Sequence, residues 1–129
     1  MPSSKKITLK DYLLAYLVPT LWAGLIFVLS AQEVLPGFSV SVYDFIFKKG
    51  AHMFVYAVLY LLLFRAHQQT SRHTLDSRSY LIPLSIALLY AVVDELHQST
   101  VPGRYPTMRD VGYDMLGVST VLLYQLKII

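Results

Sequence analysis

The sequence predicts an all-α membrane protein: a single domain, residues 1–129, folded as a four-transmembrane-helix up-and-down bundle. Hydrophobic residues make up 55% of the chain and charged residues only 15%, whereas a typical soluble domain has about 25% charged residues. Four apolar segments are joined by loops too short to form domains of their own, and short loops favour antiparallel neighbours. The expected spans are about 12–31, 45–64, 80–98 and 108–127.

The first apolar segment, Tyr12–Ala31, is long enough to cross a bilayer without help, since a spanning helix needs about 20 apolar residues. It also exceeds the roughly 7–15 residues of a signal-peptide core. The run Leu29-Ser30-Ala31 is a poor cleavage site. We therefore expect this segment to be the first membrane helix.

The second apolar segment, Ala51–Phe64, is preceded by Lys48-Lys49 and contains His52. Its 14 residues cover about 21 Å of a hydrocarbon core about 30 Å thick. The missing length must come from the ionisable residues, which are thereby drawn into the membrane. Helical spacing places Lys49, His52 and Tyr56 on one stripe.

The third apolar segment ends directly in Asp94 and Glu95, followed by His97 and Gln98. On a helix, Asp94, His97 and Gln98 share one stripe, with Glu95 about 100° around from Asp94. Polar residues are therefore expected at membrane depth here too.

A turn with two prolines and a glycine, Val101–Pro106, precedes the fourth segment. Such a turn is expected to be rigid and to hold Arg104 in a fixed position over a cleft lined by these polar residues. The fourth helix then carries Arg109 and Asp110, and Asp114 follows one turn later.

Charge asymmetry between the loops predicts the orientation of the bundle. With four spans both termini lie on one side, which carries seven lysines and arginines, against four on the other. The positive-inside rule then places both termini in the cytoplasm. The ionisable residues at membrane depth would then form a polar cleft that faces the extracytoplasmic side of the cell membrane. The seven are Lys5, Lys6, Lys10, Arg65, Arg72, Arg78 and Lys127; the four are Lys48, Lys49, Arg104 and Arg109.

Ionisable residues inside a membrane are costly and usually functional, and this set suits two chemistries. Basic residues around a cleft suit a phosphate-bearing anion, and histidine beside carboxylates suits proton transfer. The candidate catalytic residues are His52, Asp94, Glu95 and His97. The candidate substrate-binding residues are Lys48, Lys49, Tyr56, Gln98, Arg104, Arg109, Asp110 and Asp114.

Cofactor and partner expectations follow from the same residues. The histidines and carboxylates could hold a divalent cation that bridges to a phosphate, although the sequence contains no HExxH or comparable spacing. Without cysteine, a thiolate nucleophile and a Cys-based zinc site are excluded. No basic cluster is dense enough for nucleic acid. The expected partners are membrane lipids or a lipid-linked envelope precursor.

Three runs of residues carry a family resemblance. They are Lys49-Gly50-Ala51-His52 with the apolar residues after it, Asp94-Glu95-Leu96-His97-Gln98 followed by Pro102-Gly103-Arg104, and Arg109-Asp110 with Asp114 and Gly117. Over about residues 45–120 the chain resembles the VanZ-like family of small multi-pass membrane proteins, named for a protein associated with teicoplanin resistance. The resemblance implies a cell-envelope protein with a link to glycopeptide resistance. By motif position, it assigns the family's polar residues to Lys49, His52, Asp94, Glu95, Gln98, Arg104 and Asp110.

The chain departs from the family pattern at two positions. Lys48 stands where an acidic residue is expected, and Asp114 stands where asparagine is expected. Because the two differences have opposite sign, we expect the two side chains to face each other across the cleft. The alternative is that the two changes alter the specificity of the site.

Three functions are weighed. The first is an enzyme acting on a lipid-linked phosphate by hydrolysis or group transfer. Its acid–base would be His52 or His97, oriented by Asp94 or Glu95, and its phosphate would be held by Lys49, Arg104 and Arg109. The second is a non-catalytic protein that masks an antibiotic target, its charges serving binding or helix packing only. The third, an ion pathway, is disfavoured because the inner half of the bundle lacks ionisable residues. We expect binding or processing of an anionic lipid.

Overall fold

The computed structural model describes residues 5–31, 41–72, 74–102, 105 and 107–129. These residues form four helices: α1 (Leu9–Ser30), α2 (Ser41–Thr70), α3 (Ser77–Gln98) and α4 (Met108–Gln125). No strand occurs among the described residues, so the predicted all-α class is confirmed.

Capping residues fix where α1 and α3 begin. Thr8 caps α1 and forms a capping box with Asp11, and Asp76 caps α3 in the same way with Ser79. Each box pairs helix amides that would otherwise lack a partner in the first turn. The first turn of each helix is therefore stabilised by local sequence alone.

Helices α2 and α4 lie side by side and run in the same direction. His52 contacts Asp114 in the first half of both helices, and Tyr60 donates a hydrogen bond to Gln125 at the end of α4. Gly117 permits this close packing, because a Cβ atom there would lie 2.7 Å from the backbone carbonyl carbon of Met53. A small residue at a helix contact lets two backbones approach.

Helix α3 runs antiparallel to α2. The Tyr56 hydroxyl meets Asp94 near the end of α3, whereas Phe64 stacks on Tyr80 near its beginning, with ring centroids 5.4 Å apart. The bundle thus has a site end, where α1 and α3 finish and α2 and α4 begin. The opposite end holds the start of α1 and the end of α4 and is called the termini end below.

Helix α1 closes the bundle against α2 and α3. The Trp22 indole donates to the carbonyl of Val55 at 2.9 Å, and the Tyr90 hydroxyl donates to the carbonyl of Ala23 at 2.5 Å. Both bonds use backbone carbonyls, so they fix the height of α1 beside its neighbours. The helices alternate in direction along the chain, as predicted.

Three helical stretches are long and apolar enough to cross a membrane: Leu9–Ser30, Val42–Thr70 and Ser77–Gln98. The expectation of a fourth span was wrong for the chain as described, because α4 has 18 residues and includes Arg109, Asp110 and Asp114. Its place in the bundle follows from packing against α2 rather than from its own hydropathy.

The bundle buries little of its apolar surface. Tyr56, Tyr60 and Val118 are fully buried, but Leu13 and Leu21 on α1 are each 64% exposed. An exposed apolar surface of this extent would be unstable in water, and lipid chains can cover it. The chain is therefore built as a membrane protein.

Candidate functional site

Polar side chains from three helices meet inside the site end of the bundle. Lys49, His52 and Tyr56 follow one another at steps of three and four along α2, and each meets an acidic residue of α3 or α4. The predicted stripe on the second helix is thus present. Its role in the fold is to join α2 to both later helices.

Lys49 binds Asp110 at the start of α4. The Lys49 ammonium also lies 5.2 Å from the ring centroid of Tyr113 and 5.7 Å from that of Phe45. With one carboxylate and two aromatic faces around it, the charge of Lys49 is largely satisfied within the protein.

His52 pairs with Asp114 deeper in the bundle. Its Nδ1 lies 2.8 Å from Oδ1 of Asp114, whose side chain is fully buried. A carboxylate on Nδ1 fixes the orientation of the imidazole ring and leaves Nε2 to accept or donate a proton. Asp94 or Glu95 was expected to orient the acid–base, His52 or His97. For His52 this was wrong, because the carboxylate on its Nδ1 is that of Asp114.

Asp94 is the centre of a second polar group. Its Oδ2 accepts a hydrogen bond from the Tyr56 hydroxyl at 2.9 Å and a longer one, 3.5 Å, from the Gln98 amide. The same Gln98 amide donates to the Ser30 hydroxyl at the end of α1. Asp94 is 3% exposed, and its Oδ1 has no hydrogen-bond partner.

Glu95 and His97 are placed differently from the other candidates. Glu95 is buried, and neither of its carboxylate oxygens has a hydrogen-bond partner. His97 stacks on Phe27 of α1 with ring centroids 4.2 Å apart. Neither residue lines the cavity described below. The structure therefore separates His97 from His52.

The basic residues beside the site are arranged less simply than expected. Lys48 pairs with Asp44, one turn earlier on α2, at 2.8 Å. Because Asp114 pairs with His52 instead, the predicted Lys48–Asp114 contact was wrong. Arg109 is exposed at the start of α4, and Arg104 lies outside the described residues.

A cavity of about 220 Å³ lies between α1 and α2 at this end of the bundle, and the last turn of α3 forms part of its wall. It is larger than the engineered apolar cavity of about 150 Å³ that accommodates benzene. Five apolar side chains and six polar ones line it. They are Ile26, Leu29, Phe47, Ala51 and Val55, together with Ser30, Lys48, His52, Tyr56, Asp94 and Gln98.

The contribution of α1 to this cavity was missed by the sequence analysis. Ile26, Leu29 and Ser30 line the cavity, but they belong to the most uniformly apolar segment of the chain. The available signal was Ser30, a hydroxyl residue near the end of an otherwise apolar helix. That signal is too common in membrane helices to single out a site.

A metal centre finds no preformed ligand set in the described part of the chain. No group of three or more His, Asp or Glu side chains there is arranged to hold a metal ion. What the described residues offer is a pair of hydrogen-bonded groups, His52–Asp114 and Tyr56–Asp94–Gln98, that border one apolar cavity.

Comparisons with known proteins give one match. The model of a family described as VanZ/LLP1 matches residues 3–127, nearly the whole chain. No curated protein and no solved structure matches it.

Proposed function

This chain belongs to the VanZ/LLP1 family, and on that premise we propose that it binds a phosphate-bearing anionic lipid or lipid-linked envelope precursor in the cavity between α1 and α2. The observation that carries the proposal is the composition of the cavity wall. One cavity has aliphatic and aromatic walls for a hydrocarbon chain and, in the same space, Lys48 and His52 for a phosphate. Small-molecule sites typically combine an apolar lining with a few polar groups.

Lys48 is the basic residue best placed to meet an incoming phosphate. Its side chain is 37% exposed, so it lies at the rim of the cavity. Its present partner, Asp44, precedes it by one turn on the same helix. A surface pair of this kind contributes about 0–1 kcal/mol, so exchanging Asp44 for a phosphate costs little.

Processing of the bound lipid would depend on His52. With Nδ1 held by Asp114, Nε2 can take a proton from a water or hydroxyl whose oxygen attacks the phosphorus. The ester P–O bond then breaks, and Nε2 returns the proton to the departing alkoxide. This arm of the proposal is a hydrolase or transferase; the other is binding without turnover. The hydrogen bonds from Tyr56 to Asp94 and from Gln98 to Ser30 support the non-catalytic alternative, because they join three helices irrespective of any ligand.

The proposed site faces the extracytoplasmic side. The seven lysines and arginines counted above belong to the ends of helices and the loop at the termini end. The positive-inside rule favours that end in the cytoplasm. A cavity reached from outside the cell would meet envelope precursors, and sequestering one is a route by which the chain could influence glycopeptide resistance.

Lipid binding to a cavity-filled variant tests the proposal. Native mass spectrometry of the purified chain in detergent, with phosphatidylglycerol or a polyprenyl phosphate added, should detect one tightly bound lipid. Ala51→Phe, which puts a ring in the cavity, should lower the affinity at least tenfold. Val18→Phe adds a ring to a position that is 54% exposed on α1 and should leave binding unchanged. Equal binding by all three proteins would refute the proposal.

A turnover assay distinguishes an enzyme from a protein that only binds the lipid. Radiolabelled polyprenyl phosphate or phospholipid should give a product with the wild-type chain and none with His52→Ala, if the protein is an enzyme. Retained binding with no product across a broad lipid panel would leave the masking role.

A further inference from the structure

The charges around the cavity are unevenly compensated. Each basic residue of α2 beside the site already has a carboxylate of its own. The pairs are Lys48 with Asp44, Lys49 with Asp110, and His52 with Asp114. Asp94, by contrast, receives hydrogen bonds from a phenol and an amide, both neutral groups. Among the described residues it has no cationic partner.

Asp94 also keeps one acceptor free. It is 3% exposed, its Oδ1 has no hydrogen-bond partner, and the residue lines the cavity. A buried carboxylate oxygen without a donor or a counter-charge is costly. A ligand that brings an N–H donor and a positive charge would satisfy both needs at once.

The order of groups along the cavity matches one class of lipid headgroup. Lys48 is at the rim, with a side chain that is 37% exposed, and Asp94 is buried. In an aminophospholipid the ammonium is the terminal group, the phosphate follows, and the acyl chains come last. Such a headgroup entering between α1 and α2 would carry its ammonium deepest and its phosphate beside the rim. The start of its hydrocarbon chains would then contact Leu29 and Phe47, which line the cavity and are exposed at its mouth.

We propose that the cavity selects a primary-amine phospholipid headgroup, with its ammonium bound by Asp94 and its phosphate beside Lys48 and His52. This rests on the proposed binding of a phosphate-bearing lipid and deepens it by naming the headgroup. It replaces the net anionic class with a zwitterionic one, because an aminophospholipid carries an ammonium as well as its phosphate. Tyr56 and Gln98 hold the Asp94 carboxylate in place through Oδ2, and Oδ1 is the oxygen that lacks a donor.

The test compares headgroups on the unmodified chain. Affinities for phosphatidylethanolamine, phosphatidylcholine and phosphatidylglycerol with identical acyl chains are measured by native mass spectrometry in detergent. Phosphatidylethanolamine should bind at least about tenfold more tightly than either of the others, since only its headgroup offers a charged N–H donor to the carboxylate. Glycerophosphoethanolamine, which lacks acyl chains, should bind far more weakly.

A matched pair of variants locates the preference. Asp94→Asn keeps the shape of the side chain but removes its charge, and should reduce the headgroup preference to about twofold or less while phosphatidylglycerol still binds. Asp76→Asn removes one negative charge at the termini end and should keep the full preference.

The outcomes distinguish this inference from the proposed function. Equal affinity for phosphatidylethanolamine and phosphatidylglycerol in the wild type overturns the inference and leaves lipid binding intact. So does an Asp94→Asn protein that loses affinity for both lipids equally, which would mark Asp94 as structural. Glycerophosphoethanolamine binding as tightly as the lipid overturns it too. No binding of any lipid overturns the proposed function itself.

Discussion

The Nδ1 atom of His52 lies 2.8 Å from Oδ1 of Asp114, and the Asp114 side chain has no exposure to solvent. In the sequence, the rest of α2, all of α3 and two loops lie between these two residues. A buried carboxylate needs a partner. The orientation of His52 at the site therefore depends on how α2 packs against α4.

Removing both members of this pair should cost less stability than the two single removals added together. His52→Ala leaves Asp114 buried without its partner and should lower the free energy of unfolding by about 3–5 kcal/mol. The double variant His52→Ala/Asp114→Ala should lose less than the sum of the two single variants. Reversible unfolding in mixed micelles measures each value. Additive losses would show that the two side chains do not interact.

Gly117 should tolerate no side chain. Gly117→Ala would place a Cβ 2.7–2.8 Å from backbone atoms of Met53, and overpacking of this kind costs about 1–3 kcal/mol. Gly112 on the same helix has nothing within 4 Å of such a Cβ. Gly112→Ala should therefore be neutral or stabilising by up to about 1 kcal/mol. A Gly117→Ala protein as stable as Gly112→Ala would contradict the close α2–α4 contact.

Two tyrosines of α2 should separate stability from binding. Tyr56 donates to Asp94 beside the cavity, whereas Tyr60 donates to Gln125 at the other end of the bundle. Each change to phenylalanine removes one hydrogen bond and should cost about 0.5–1.5 kcal/mol or more. Tyr56→Phe should also weaken lipid binding, because it frees Asp94 to move, while Tyr60→Phe should not. Equal lipid affinity in the two variants would show that the Tyr56–Asp94 hydrogen bond does not contribute to lipid binding.

The first turn of α3 should respond to acid. Desolvation alone raises the pKa of Asp76, but hydrogen bonds from the Ser79 amide and hydroxyl and the charge of Arg78 outweigh it and hold that pKa below 3.8. The stabilising effect of ionised Asp76 is therefore fully present above pH 3.8 and is lost as the pH falls through the lowered pKa. In thermal melts, the melting temperature of the wild type should exceed that of Asp76→Ala at pH 7, and this difference should shrink toward pH 2. A gap that widens in acid would contradict this.

Single cysteines should report the orientation, because the natural chain has none. Tyr105 follows α3 and is 88% exposed, and Leu75 precedes it at the opposite end and is 61% exposed. A membrane-impermeant maleimide added to intact cells should label Tyr105→Cys and spare Leu75→Cys. The reverse pattern would place the site on the cytoplasmic side.

The sequence by itself determined the class of protein. Apolar segments of membrane-spanning length are a local property, since a helix in lipid satisfies its own backbone hydrogen bonds. The capping boxes at Thr8 and Asp76 are local in the same sense. The alternating directions of the helices follow from the short loops that join them. Helical spacing also sufficed to place Lys49, His52 and Tyr56 on one face of α2.

Which side chains meet was decided by the tertiary structure. The rotation of each helix about its axis depends on close packing, such as Gly117 against Met53, and no stretch of sequence encodes it. That rotation pairs His52 with Asp114 rather than Asp94, leaves Lys48 with Asp44, and sends His97 to Phe27. It also brings Ser30, from a helix with no charge near that end, to the same cavity as Asp94.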